Sequence, residues 1–402
     1  MKRLCIAAAA LVSAAAAAAS VFAAPHRTAA GSPIVIGRAI GLSGFIAAYD
    51  GPGKVGAEVA ADAINKAGGI MGHPIKFVDA DTKSEVAGGP TAAATVISKG
   101  AKIMIVTCDY DFGGPAARVA GSKGMLAFST CAESPKFGAE GIGPLAFSMG
   151  NGTPGQGALS AEYMVQKLGL KKLYILDDTT VEYDRTLCGY FKRRATELGA
   201  AIAGEDTFQN SDPSIATQIT RLRSASPDGI FLCSYAPGGP SALKQIRAAG
   251  IDVPVMSGSG LEGSYWWPAV GNVTNWYNLA HASFDGHDPN PAVNAFFRAF
   301  AKKTGKPNVV AFGIAGYSVI EAIQKAILIA SKKAGHFTTD GHALAAALET
   351  FRGEKLLEGP TTFTKVFHLD FRRPEAVIYV NDNKQVLKGY FKPTRVPPVS
   401  FK

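Results

Sequence analysis

The chain has 402 residues and a formal net charge of +9, long enough for two domains that each bury a core. Its basic residues fall in scattered pairs such as Lys171-Lys172, Arg193-Arg194 and Lys302-Lys303. Such pairs are solvated faces; a nucleic-acid binder gathers its charge on one stripe with aromatics between, so nucleic acid is excluded as an expected partner.

Met1-Lys2-Arg3 is a basic start, Leu4 to Phe22 is apolar and alanine-rich, and Val21-Phe22-Ala23 supplies a cleavage region. Residues 1–23 therefore read as a secretory signal peptide. No second long apolar run follows to anchor the chain, and Cys5 lies inside the apolar segment, where it cannot carry a lipid after cleavage. The expected mature product is free in the periplasm.

Ile34 to Ile40 ("IVIGRAI") predicts a strand, "GLSG" a turn, and "GKVGAEVAADAINKAGGI" a helix stopped by its double glycine. "HPIKFVDAD", "AKIMIVTC" and "MLAFSTC" continue as strands, with "GPTAAATVISKG" and "GGPAARVAGSKG" as helices between them. The alternation predicts a parallel sheet covered on both faces. Asp111, just before "FGGP", is the expected cap of the helix that Pro115 begins. Cys108 and Cys131 close neighbouring strands at one edge, where they either pair or pack as two buried thiols.

"GNGTPGQG", Gly150 to Gly157, has the spacing of a dinucleotide-binding loop, and Asp177 follows where a ribose-binding acid would stand. Pro154 argues against it, because it removes a backbone donor from a loop that works by donors. Beyond it the βα rhythm restarts: "ALSAEYMVQKLG", "YDRTLCGYFKRRATELG", "DPSIATQITRLRSASP" and "PSALKQIRAAG" as helices, "KKLYILDD", "AAIAGEDTF", "DGIFLCSY" and "VPVMSGSG" as strands. Then "HASF" predicts a short strand, three helical stretches follow, and "EAVIYVNDNKQVLKGYF" predicts a hairpin.

No catalytic set converges. "SGSG" around Ser259 lacks the G-x-S-x-G pattern, and the seven histidines are dispersed. His281, Asp285, His287 and Asp288 in "HASFDGHD" fit no zinc spacing and read as a polar turn. Binding without chemistry, with no cofactor and no metal, is the expectation.

The segments "IGLSGFIAAYDGPGKVGAEVAADAINKAGGIMGHPIKFVDAD", "GGPAARVA", the strand closing in "FST" before "AESPKFG", "DDTTVEYDRTLCGYFK" and "SYAPGGPSALKQIRAAG" occur here in that order. From about Ile34 to Phe391 the chain resembles the periplasmic solute-binding proteins of the branched-chain amino acid and amide class of ABC importers. The resemblance implies an α/β fold of two Rossmann-like parallel-sheet lobes joined by a three-crossover hinge. Crossings are expected near Gly150, Ala282 and Thr362, giving 32–150 and 283–361 to lobe 1 and 151–282 and 362–402 to lobe 2. "GNGTPGQG" then sits at the first crossing, where its glycines let the chain turn. A monomer that hands its ligand to permease subunits is implied; a sensor module reporting to a membrane receptor is the alternative use of the same fold.

In an open parallel sheet, ligands sit beyond the carboxyl ends of the strands. The candidates are Tyr49, Asp109, Tyr110, Cys131, Ala132 and Glu133 in lobe 1, and Tyr183, Tyr235 and Ser259 in lobe 2. Tyr49, Tyr183 and Tyr235 match positions where relatives carry aromatic walls, a use that suits a rigid ring with a polar tip. Tyr110, Glu133 and Ser259 depart from the pattern, in which a serine and a threonine hold the ligand's carboxylate and a lobe 2 acid holds its ammonium. An acid at Glu133 repels a carboxylate unless it turns away or is protonated. The expected ligand is therefore not a plain α-amino acid in the usual orientation. Glu262 is expected to restore an acid to the cleft, and Trp266 and Trp267 to cover lobe 2.

Overall fold

Short β-branched runs separated by alanine-rich amphipathic stretches build two parallel sheets in succession. The computed structural model describes residues 31–401, so the signal peptide expected at 1–23 lies outside the described residues. In lobe 1, β1 (Ile34–Ile40), α1 (Ala47–Lys66), β2 (Ile75–Asp81), α2 (Gly88–Ser98), β3 (Ile103–Val106), α3 (Tyr110–Ser122), β4 (Leu126–Ser129) and β5 (Ala146–Ser148) follow in order. The sheet runs β2-β1-β3-β4-β5, all parallel. β5 is only three residues long, too short for a periodicity to announce it.

The chain then enters lobe 2 with α4 (Thr153–Glu162), continued by a π-turn, and β6 (Lys172–Asp178), α5 (Glu182–Glu197), β7 (Ala201–Phe208) and α6 (Ala216–Ala225). β8 (Gly229–Cys233), α7 (Gly238–Ala248), β9 (Val255–Ser257), the short α8 (Trp267–Val270) and β10 (Trp276–Ala280) complete the array. It returns to lobe 1 for α9 (Pro291–Thr304), α10 (Gly313–Ala334), α11 (Gly341–Leu348) and the small hairpin of β11 (Glu354–Leu356) and β12 (Gly359–Thr361). A last hairpin, β13 (Glu375–Asn381) and β14 (Lys384–Phe391), adds to lobe 2, whose sheet runs β14-β13-β10-β9-β8-β6-β7. β13 lies antiparallel to β10.

Close backbone contact seats α10 on α1. A side chain on Gly56 would collide with the Gly313 carbonyl, and one on Gly316 with that of Gly53. α10 is long and apolar enough to cross a membrane, yet 67% of that stretch is buried. It is the core helix of lobe 1, packed with Ile36, Ile105 and Phe128.

Three expectations are corrected. "HASF" is not a strand: the strand is β10, just before it, and the backbone N–H groups of His281 and Ser283 go to the carboxylates of Glu262 and Asp288 instead of a ladder. The third crossing lies beyond Thr362, because Phe363 is buried against Phe128 and Phe147, and His368 still stacks on Phe147. The glycines of "GNGTPGQG" do not serve as flexible turns. Gly150, Gly152, Gly155 and Gly157 are not among the residues of positive φ; side chains on them would strike Glu133, the Phe371 ring, the Phe371 carbonyl and the α5 backbone in turn.

Candidate functional site in the cleft between the lobes

Lobe 1 brings the loops after β1, β3 and β4 to the interface, and lobe 2 brings those after β6, β8 and β9, so strand ends face one another across a cleft. A cavity of about 50 Å³ remains between them. Phe45, Ile46, Tyr49, Phe112, Val181, Tyr183, Tyr235 and Phe312 form apolar walls, and Asp109, Glu133 and Ser259 are its polar points, with Cys108, Cys131 and Gly260 completing the lining. Cys108 and Cys131 are joined as a disulfide, Cα atoms 4.7 Å apart. A second bridge, Cys188–Cys233, ties α5 to β8 with Cα atoms 5.8 Å apart; nothing in the spacing of those two cysteines announced it.

Of the nine residues singled out from sequence, Tyr49, Asp109, Cys131, Glu133, Tyr183, Tyr235 and Ser259 line this cavity. Tyr110 and Ala132 do not. Tyr110 opens α3, where the next side chain points about 100° away from that of Asp109; it packs among the alanines behind the sheet, its hydroxyl 3.5 Å from Arg118 Nη2. Ala132 is fully buried in the same apolar cluster. The sequence reading missed Phe45, Ile46, Phe112, Val181, Gly260 and Phe312; the signal for the first three was an apolar residue just after a strand end, within four positions of a residue already chosen.

Asp109 has φ +90° and is itself the cap of α3, its Oδ1 accepting from Asp111 N at 2.7 Å. Asp111 is therefore not the cap. Its Oδ2 accepts from Glu182 N in lobe 2 at 2.7 Å, placing a helix-start donor against a carboxylate. Other bonds also cross the cleft. Tyr49 Oη donates to Gly260 O and accepts from Ala236 N, both at 3.1 Å. Ser259 Oγ donates to Glu133 Oε2 at 2.7 Å, Lys136 pairs with Glu182 at 2.9 Å, and Ser264 N donates to Val309 O at 2.7 Å.

Behind Glu133 lies a buried charged cluster at the crossings. His281 Nδ1 stands 2.6 Å from Glu358, which also pairs with Arg373 at 2.7 Å, and His281 Nε2 is 3.7 Å from Glu133 Oε1. Asn151 Nδ2 donates to Glu375 at 2.5 Å. Burial works against charge on His281, but Glu358 and Glu262 outweigh it and hold the imidazole at about 10. Burial pushes Glu262 up to about 7 and Glu375 to about 8, the latter with help from Glu133. Glu262 does not reach the cavity: its carboxylate accepts from His281 N at 2.8 Å and Ala311 N at 2.9 Å. Trp266 is buried against Trp276 in the lobe 2 core, its Nε1 donating to Leu261 O. His281 and Asp285 belong to different networks, and among the described residues no His, Cys, Asp and Glu group is arranged to hold a metal ion.

A sequence profile for the family described as periplasmic binding protein matches residues 33–384. The chain belongs to the periplasmic binding protein family. Among the similar members of this family is the Leu/Ile/Val-binding protein homolog 3 of Brucella melitensis, 27% identical over 90% of this chain and 94% of its own. The substrate-binding protein LivJ of a branched-chain amino acid transporter from Streptococcus pneumoniae, solved with isoleucine, superposes with a TM-score of 0.77 at 22% identity, covering 90% of this chain and 100% of its own. A solute-binding protein from R. palustris solved with benzoate gives 0.75 at 18% identity, covering 90% and 97%. This periplasmic binding protein is a binding protein and not an enzyme. Its glycine motif is thus accounted for by packing at the first crossing.

Proposed function

We propose that this protein captures a small molecule with a compact apolar body in the periplasm and delivers it to the permease of an ABC importer. The observation that carries the reading is the cavity itself: aromatic rings from both lobes enclose it, and hydrogen bonds such as those of Tyr49 run from one lobe to the other. A site of that kind favours the closed state only through contacts its ligand makes with both halves. The names of relatives point the same way. Leu/Ile/Val-binding proteins, and structures holding isoleucine or benzoate, all take molecules with an apolar body and a charged end. Tyr49, Tyr183 and Tyr235 would grip the body, and Asp109, Glu133 and Ser259 would meet the polar end.

Thermal-shift screening of amines, amino acids, amides and aromatic acids identifies a ligand, and small-angle scattering with that ligand then tests the mechanism. The expected result is a smaller radius of gyration in the bound state. A ligand that binds tightly without compaction overturns the reading.

A further inference from the structure

The sign of the ligand's charge can be read from how hydrogen-bond donors and acceptors are spent around the cavity. An anion in such a cleft is held by backbone N–H groups at strand ends and helix starts. Here five of those donors serve the protein itself. Asp111 N goes to Asp109, Glu182 N to Asp111, Ala132 N to Ser129 Oγ at 3.0 Å, Ser259 N to Gln156 Oε1 at 3.0 Å, and Gly260 N to Tyr183 Oη at 3.0 Å. Two of these partners are carboxylates that occupy helix starts where an anion would lie.

One acceptor on the wall is in the opposite condition. Glu133 is 4% exposed, lines the cavity, and its Oε1 has no hydrogen-bond partner. That oxygen faces His281 Nε2, also without a hydrogen-bond partner, at 3.7 Å, within ion-pair reach but too far for a hydrogen bond, while Oε2 accepts from Ser259. Glu133 shares the buried cluster with Glu262, Glu358, Glu375, His281 and Arg373, all of which lie behind the wall of the cavity. Asp109 adds a second carboxylate to the wall, and among the described residues that line the cavity there is no lysine or arginine. The other lining groups are mostly ring faces in mutual contact, Phe45 with Phe112 at 5.4 Å and Tyr235 at 5.7 Å, and Tyr49 with Phe312 at 5.1 Å. Ring faces attract cations, and a carboxylate set beside Asp109 and Glu133 is repelled.

We propose that the solute held in this cleft is an organic cation, an amine or quaternary ammonium on a compact apolar body, and not a ligand bound through its carboxylate. This rests on the capture reading above. Calorimetry at neutral pH with probes that share an apolar body tests it: the cation benzylamine against the anion benzoate, 2-methylbutylamine against isoleucine, which adds a carboxylate to the same amine, and tetramethylammonium alone. Benzylamine is expected to bind at least tenfold more tightly than benzoate. Glu133→Gln and Asp109→Asn, which keep shape and remove charge, are expected to weaken benzylamine at least tenfold without weakening benzoate. Circular dichroism melts separate that loss from misfolding. Benzoate or isoleucine binding as well as its amine counterpart, or none of the three cations binding, overturns the assignment. Compaction with an anionic or neutral solute in that event leaves capture standing, whereas absence of compaction with every binder removes capture itself.

Discussion

Tyr49 makes two of the bonds that cross the cleft, since its one oxygen serves Gly260 O and Ala236 N together. Tyr49→Phe keeps the ring and removes both bonds; at about 0.5–1.5 kcal/mol for each neutral hydrogen bond, ligand affinity is expected to fall roughly tenfold by calorimetry. Gly157 does not line the cavity and its role is packing. A Cβ there would stand 2.6 Å from Phe191 N and 2.8 Å from Leu187 O. Gly157→Ala should therefore lower unfolding stability by about 1–3 kcal/mol in urea titration, the usual cost of overpacking against backbone that cannot yield. The identity of seven cavity residues was legible in sequence because strand ends could be located. Which way a side chain turns was not: Tyr110 at the start of α3 and Ala132 in the loop after β4 both pack into the apolar cluster behind the sheet.

At the scale of elements, periodicity carried most of the fold: apolar runs of strand length alternated with helical stretches, and both sheets follow. What periodicity could not carry was any segment whose backbone bonds go to side chains, such as "HASF", or whose placement depends on a distant partner, such as Phe363 under Phe128 and Phe147. The Cys188–Cys233 bridge belongs to this class, because it joins α5 to β8 across 45 positions of sequence. Replacing both cysteines with alanine is expected to cost roughly 2–4 kcal/mol in chemical denaturation. With Cys108 and Cys131 already replaced by alanine, mild reductant should reproduce part of that loss, and once Cys188 and Cys233 are replaced as well it should have none to cause.

For the whole molecule, the large shifts of the buried acids and of His281 share one direction, while burial pushes His368 and Arg247 the other way. Burial raises Asp50 and Asp109 to about 7 and Glu262 to about 7, Glu375 stands at about 8, and His281 is held at about 10. Each folded value lies above the ordinary one. The stabilisation each group contributes is complete below its ordinary value and disappears as pH climbs through the folded one. The carboxyls lose theirs from about pH 4 to 8 and His281 from about 6.5 to 10. Lowered values on Glu58 and Asp81 act in the opposite sense, below the ordinary carboxylate range. The melting temperature is thus expected to peak on the acid side, near pH 5, and to fall steadily through pH 9. Glu375→Gln, which keeps an acceptor for Asn151, should flatten the upper part of that slope; an unchanged slope would remove Glu375 from the account. The two disulfides bear on the same body in another way. Each described cysteine is already spent, and each bridge stays inside a single lobe. New sulfhydryls placed one on either rim would therefore be the natural attachment points for a donor and an acceptor dye, and the swing of the two halves becomes readable by energy transfer, molecule by molecule.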